Sequence, residues 1–172
     1  MTTIVDGTTG ITFPSTISGV SPTQQYSSRV LQIVCNNYTT YTSGTNAAYG
    51  DVSGFSVNIT PTSSSSKILI MYNINGITTG TNSSVAYAAA FQLTDSSNTQ
   101  LIQLLNGKIS AGDQTYGLMS ISGSYLHSAS TTSALTYKIR AKDDGSSHGW
   151  QINNYSTTPT TYSSLVAMEI AA

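Results

Sequence analysis

Two imidazoles, one thiol and seven carboxylates are all that this 172-residue chain offers to acid–base or metal chemistry. A hydrolase needs a nucleophile, a base and an orienting acid within mutual reach. Serines are plentiful, but His127 precedes Ser128 and His148 follows Ser146-Ser147, which reads as two exposed loop histidines. No G-x-S-x-G elbow is present. Two isolated histidines and one cysteine fall short of a zinc set. Asp143-Asp144-Gly145 resembles a calcium loop only in its oxygens, and its composition reads as turn punctuation. No pair of facing carboxylates suitable for glycoside hydrolysis is apparent, and no glycine-rich phosphate loop links a strand to a helix. The expectation is a protein without catalytic residues, cofactor or metal. Cys35, inside Leu31-Gln32-Ile33-Val34-Cys35, is expected to be a buried, inert thiol.

The remaining chemistry is neutral. Twenty-eight Ser and 26 Thr place a small hydroxyl at 54 positions, with 11 Asn, 8 Gln and 11 Tyr beside them. Tyr38, Tyr41, Tyr49, Tyr155 and Tyr162 fall in expected loops next to Asn and Thr. Aromatic faces pack on the apolar faces of sugars while amides and hydroxyls bond their OH groups, so these five are candidate ligand-facing residues. The same residues would equally cover the ends of a domain or a subunit contact. Asn37, Asn82 and Asn154 begin N-x-[ST] triplets, which arise by chance in so hydroxyl-rich a chain.

Only 8% of residues are charged, against roughly 25% in an ordinary soluble domain. Six Lys and Arg cannot form a broad basic patch, which argues against nucleic-acid binding. The longest apolar run, Val85 to Phe91, is far short of the ~20 residues of a membrane helix, and no secretory signal is visible. Synthesis in a cytoplasm and no membrane insertion are expected. A nearly neutral chain lacks the repulsion that keeps proteins apart, and one remedy is to bury surface in a permanent oligomer. Tyrosines and a face of Ala86, Ala88 and Ala90 suit such a contact.

The elements that would position these groups are strands. Period-two alternation marks Arg29–Cys35, Phe55–Thr60, Lys67–Ile74, Val85–Leu93, Tyr116–His127, Leu135–Ala141, Trp150–Asn153 and Leu165–Ile170. Lys67–Ile74 is apolar on both faces, as for a strand covered on both sides. Gln100–Leu105 and Lys108–Ser110 flank Asn106-Gly107, a hairpin signal, and Gly123 suggests a bulge. Hydroxyl-rich stretches at 37–53, 77–84 and 155–164 read as long crossings between sheets. The fold class expected is all-β: an antiparallel β-sandwich of jelly-roll type over 26–172, preceded by an extended N-terminal arm over 1–25. Ile4, Val5, Ile11 and Phe13 stand isolated in that arm, too sparse to make a core and suited to docking on a partner. Sandwiches with such an arm commonly pack around a threefold axis, so a homotrimer is expected.

The opening Thr3-Ile4-Val5-Asp6-Gly7-Thr8-Thr9-Gly10-Ile11-Thr12-Phe13-Pro14 resembles segments common in tail-fibre-type proteins of tailed bacteriophages. The likeness continues through Val30-Leu31-Gln32, Val57-Asn58-Ile59-Thr60-Pro61, Lys67-Ile68-Leu69-Ile70, Leu135-Thr136-Tyr137-Lys138 and the closing Leu165-Val166-Ala167-Met168-Glu169-Ile170. The resemblance implies a jelly-roll head similar to those of C1q and tumour-necrosis-factor type, displayed on the virion surface without catalytic residues. Its partners would be further copies of itself, other tail or capsid proteins through residues 1–25, and host surface glycan. The chain departs from fibre proteins in having only about 25 residues, not a long shaft, before the head. A short fibre, spike or knob is therefore expected. A capsid decoration protein and a free carbohydrate-binding module are the alternatives.

Overall fold

The computed structural model of the chain describes residues 4–6, 10–12, 29–79, 87–110, 119–143, 149–154 and 162–172. They form β1 Ile4–Asp6, β2 Gly10–Thr12, β3 Val30–Tyr38, β4 Thr42–Gly44, β5 Gly50–Ile59 and β6 Lys67–Thr79. The series continues with β7 Tyr87–Thr94, β8 Gln100–Ser110, β9 Met119–His127, β10 Leu135–Asp143, β11 Trp150–Ile152 and β12 Ser163–Ile170. Among the described residues there is no helix, and so none long and apolar enough to cross a membrane.

Every strand pairing is antiparallel. One sheet runs β5-β10-β7-β8; the other runs β3-β12-β6-β11-β4, with β9 also paired to β6. The chain passes from β5 in the first sheet to β6 in the second, back for β7 and β8, and across again at β9 and β10. The result is the all-β, jelly-roll-like sandwich that the alternation implies.

Period-two patterning becomes burial most plainly in β12, where Ser163, Leu165, Ala167 and Glu169 point inward and Ser164, Val166, Met168 and Ile170 outward. Between the sheets lie Phe55, Val57 and Ile59 of β5, Phe91 and Leu93 of β7, and Tyr137 and Ile139 of β10. Facing them are Ile68, Ile70, Ile74 and Ile77 of β6, Leu165 of β12, and Trp150 and Ile152 of β11. Each such side chain contributes about 1.5–3 kcal/mol by leaving water.

Among the described residues, one side of the sandwich is closed by side-chain amides and not by a strand. Asn36 Nδ2 donates to the carbonyls of Gly54 at 2.8 Å and Ser56 at 2.9 Å. Gln32 Nε2 donates to the Thr60 carbonyl at 2.5 Å. Carbonyls of β5 that lack a ladder partner thus receive donors from the inward face of β3. Gly54, at φ +80°, sits in the β5 irregularity between the pairs Arg140↔Asp51 and Lys138↔Ser56.

The structure corrects several expectations. The segment 37–53 is not one long loop: β3 runs on to Tyr38, β4 pairs with β11, and β5 begins at Gly50. A hydroxyl-rich stretch becomes an edge strand here because Trp150 packs against Gly44, where a Cβ would stand 2.7 Å from the indole. Asn106-Gly107 is not a hairpin turn, since β8 runs straight through it with Asn106 opposite Ala90 and Gly107 opposite Ala89. A hairpin would require the two halves of β8 to pair with each other, and β7 is the partner of both. The turn between β7 and β8 is at Asp95, whose Oδ1 accepts from the amides of Ser97 and Thr99, both at 2.8 Å. Gly123 is no bulge: the register slips between Ile74 and Ile77, around Gly76 at φ +59°, while Gly123 makes room for the Tyr72 ring.

Three surface expectations change as well. Cys35 is exposed, because β3 turns Gln32, Val34 and Asn36 inward and Leu31, Ile33 and Cys35 outward. Leu69 and Met71 on the outward face of β6 are only partly covered, so that strand is not enclosed on both sides. Ala90 is already fully buried within the chain beside Gln92 and Thr94, which removes it from any contact face; the side chains of Ala86 and Ala88 lie outside the described residues. Within the N-terminal segment the described residues form β1 and β2, which pair with each other, Ile4 opposite Thr12 and Val5 opposite Ile11.

Candidate functional site

Strand direction gives the sandwich two poles. β3 starts at Val30 and ends at Tyr38, opposite Ser163; at its start Val30 faces Ile170, which faces Lys67. Gln32 bonding to Thr60 and Asn36 to Gly54 sets the four-stranded sheet in the same sense, with Ile59 toward the Val30 pole and Gly50 away from it. Residue 29, where the chain leaves the N-terminal segment, therefore lies at one pole. The turns bearing Tyr41, Tyr49 and Tyr162 lie at or beside the other.

The expected ligand-facing tyrosines divide. Tyr41 and Tyr162 are 53% and 54% exposed at the far pole. Tyr38 is not a loop residue: it closes β3, is buried, stacks on Phe55 with centroids 4.7 Å apart and 9° between planes, and bonds the hydroxyl of Thr42. A strand-end tyrosine with an apolar neighbour inside is drawn into the core, and its OH finds a partner at the rim. Tyr49 is half-buried: its OH donates to Gln103 Oε1 at 3.0 Å, and Lys142 Nζ stands 5.3 Å from its ring centre. Tyr155 and Phe13 lie outside the described residues, as do the side chains of Ile4, Val5 and Ile11.

The far pole is held by neutral groups that no motif announced. Asn153, at φ +52°, ends β11 and sends its Nδ2 to the carbonyls of Tyr38 at 2.8 Å and Thr40 at 3.1 Å. Ser163 Oγ donates to Asn153 Oδ1 at 2.7 Å and accepts from the Asn75 amide at 3.0 Å. Asn75 Nδ2 reaches the Tyr162 carbonyl at 2.6 Å. The backbones carrying Tyr41 and Tyr162 are thereby tied into one buried network. Asparagine at a strand end tolerates positive φ and bonds neighbouring backbone, which is the one sequence signal that pointed here.

Among the described residues, ion pairing is found at one place, on the four-stranded sheet. Asp51 accepts from Lys138 Nζ at 2.7 Å and Arg140 Nε at 2.8 Å. The bond from Lys138 leads the effects that hold its carboxyl below the usual range, against a weaker opposing effect of burial. Arg140 Nη2 also donates to the Tyr49 carbonyl at 2.5 Å. These bonds fix the outward side of β10.

His127 is not an exposed loop histidine. It ends β9 facing inward, its Nδ1 2.7 Å from the Tyr137 hydroxyl and its ring edge-on to the Tyr137 ring. Burial pushes its pKa below the ordinary histidine value, with a smaller opposing effect from Asp95, and burial raises that of Tyr137. The pair is a packed hydrogen-bonded contact between β9 and β10. His148 lies outside the described residues. Among the described residues no group of three or more His, Cys, Asp or Glu could hold a metal ion.

No known protein-family model matches the chain, and no curated protein matches its sequence. Solved structures with similar folds include the infectious bursal disease virus VP2 subviral particle, at 13% identity and a TM-score of 0.38 over 93% of this chain and 41% of that one. The T13 particle of the same virus matches at 15% identity and a TM-score of 0.43, over 91% of this chain and 40% of that one. The Gx strain of that virus matches at 16% and 0.36, over 92% and 43%. This chain spans less than half the length of each.

Proposed function

We propose that this chain is a non-enzymatic structural protein of a bacteriophage virion, a short fibre, spike or knob made in the host cytoplasm and carried on the particle surface. Residues 1–25 are its docking arm, with Ile4, Val5, Ile11 and Phe13 as the apolar contacts to another tail or capsid protein. The sandwich over 26–172 is the displayed head, a homotrimer whose Tyr41 and Tyr162 face host surface glycan. The single observation behind this reading is polarity: the N-terminal segment joins the head at one pole, and the exposed tyrosines stand at the other. A part anchored at one end and working at the other needs that arrangement.

The short β1–β2 pairing adds support. An isolated two-stranded hairpin is marginal in water and is stabilised when its apolar side is covered, as a docking element's would be.

Particle incorporation tests the reading. The described core is drawn from β3, β5, β6, β7, β10, β11 and β12, so a chain lacking residues 1–25 is expected to keep a cooperatively folded head. Purified particles made with that form should lack it. Incorporation at the normal level rejects the arm.

A further inference from the structure

Among the described residues, the outward face of β3, β12, β6 and β9 carries two adjoining, largely apolar rows. Strand register aligns Ile33, Met168, Leu69 and Leu126 across the four strands, and next to them Cys35, Val166, Met71 and Ser124. Ile33 is 57% exposed, Leu126 53% and Leu31 43%. The following row, toward the tyrosine pole, is Asn37, Ser164, Asn73 and Ser122, polar but uncharged. Lys67 stands at the opposite border, its Nζ 2.7 Å from Ser128 Oγ. An apolar centre with a neutral polar margin is the anatomy of a protein interface, not of a solvated sheet face.

We infer that this face is covered by a further copy of the same chain. Four strands about 4.8 Å apart and eight residues at about 3.4 Å span roughly 19 by 27 Å. That footprint is roughly 500 Å², and side-chain relief brings its accessible area toward the ~800 Å² each partner contributes to a standard interface. A patch of roughly that size is at the upper end of what a monomer leaves open and is often functional. The occupant also has to tolerate apolar rows without charge, bordered by Lys67, and a copy of this chain, at net charge -1, meets them with little repulsion. The face lies along the flank of the sandwich, so copies packed around an axis parallel to the strands keep every residue 29 at the same pole. This inference rests on the proposed structural role, which requires all arms to reach one docking surface. It also moves self-contact from the Ala86/Ala88/Ala90 strand to the opposite sheet.

The test uses the full chain in light scattering coupled to size-exclusion, over a wide concentration range. Wild type should elute as an oligomer. The double variant Ile33→Lys/Leu126→Lys should fall to the 18.1 kDa monomer with its cooperative melt intact, while Thr132→Lys, in an exposed turn, leaves the oligomer unchanged. As a second readout independent of any variant's folding, Cys35 in wild type should resist a thiol reagent until the chain is diluted or denatured. An oligomer of unchanged mass in the double variant, or a fully reactive Cys35 in the wild-type oligomer, overturns the face while leaving self-association standing. A wild-type monomer at every concentration overturns both, and arm docking is then judged separately by particle incorporation.

Discussion

Gln32 Nε2 on β3 donates to Glu169 Oε2 on β12 at 2.6 Å, across the directly paired positions of the two strands. Glu169 is fully buried, and among the described residues no cation pairs with it. Its other oxygen accepts from the Thr62 amide and the Thr62 hydroxyl, both at 2.8 Å. Burial works to raise this carboxyl's pKa; bonds from Gln32, Thr62 and Ser66 outweigh it and hold the group down at about 2. A carboxylate solvated by neutral donors thus pins the 60–66 turn to the end of β12.

Acid stability follows with a definite sign. The folded-state pKa of about 2 lies below the ordinary 4.5, so the group favours folding above pH 4.5 and its contribution fades as pH falls from there toward 2. Thermal melts across that window should show Tm dropping with acid. Glu169→Gln should flatten the drop and cost about 2 kcal/mol at pH 7. For a chain of this size that corresponds to roughly 4–8 °C in Tm. An unchanged pH profile in the variant would show that the clamp contributes nothing.

Removing the amide closure should be more damaging than its exposed position suggests. Asn36→Leu leaves the carbonyls of Gly54 and Ser56 without their donors, at about 1–3 kcal/mol. Denaturant unfolding should show a lower midpoint at unchanged slope, and the freed β5 edge should raise aggregation on heating.

Much of the fold was legible because β5, β10 and β12 alternate cleanly, with Leu165 and Ala167 or Tyr137 and Ile139 on the side that is buried. β3 was harder. It inverts the usual preference, pointing the amides of Gln32 and Asn36 inward to bond another strand and leaving Leu31, Ile33 and Cys35 outside. An apolar run does not reveal which of its two faces meets the core. β4 and the continuity of β8 depend on partners far along the chain, Trp150 and β7, which local turn chemistry at Asn106-Gly107 does not report. Among the tyrosines, Tyr41 and Tyr162 sit as loop composition implied, whereas Tyr38 was captured by Phe55.

Gly44→Ala tests the close approach at the tyrosine pole. Its new Cβ would stand 2.7 Å from both the Trp150 ring and Asn46 Oδ1, and Trp150 Nε1 donates to that same oxygen at 3.2 Å. Displacing the ring should cost about 1–3 kcal/mol. Trp150 is the sole tryptophan, so a red shift of intrinsic tryptophan emission reads the displacement directly. Unaltered emission and Tm would mean that the indole has room to spare.

Asp51→Asn should be mild. Its side chain is 49% exposed, and pairs of that kind contribute about 0–1 kcal/mol. The loss should shrink further in 1 M salt, as measured by chemical denaturation. A loss above about 2 kcal/mol would mean that Lys138 and Arg140 depend on this carboxylate more than its exposure implies.

The Asn36 closure has one more consequence. Amide-to-carbonyl bonds have no long-range Coulomb field for dissolved ions to screen, unlike the Asp51 ion pairs. A sandwich shut along its seam in this way keeps its grip alike in dilute rainwater and in concentrated brine.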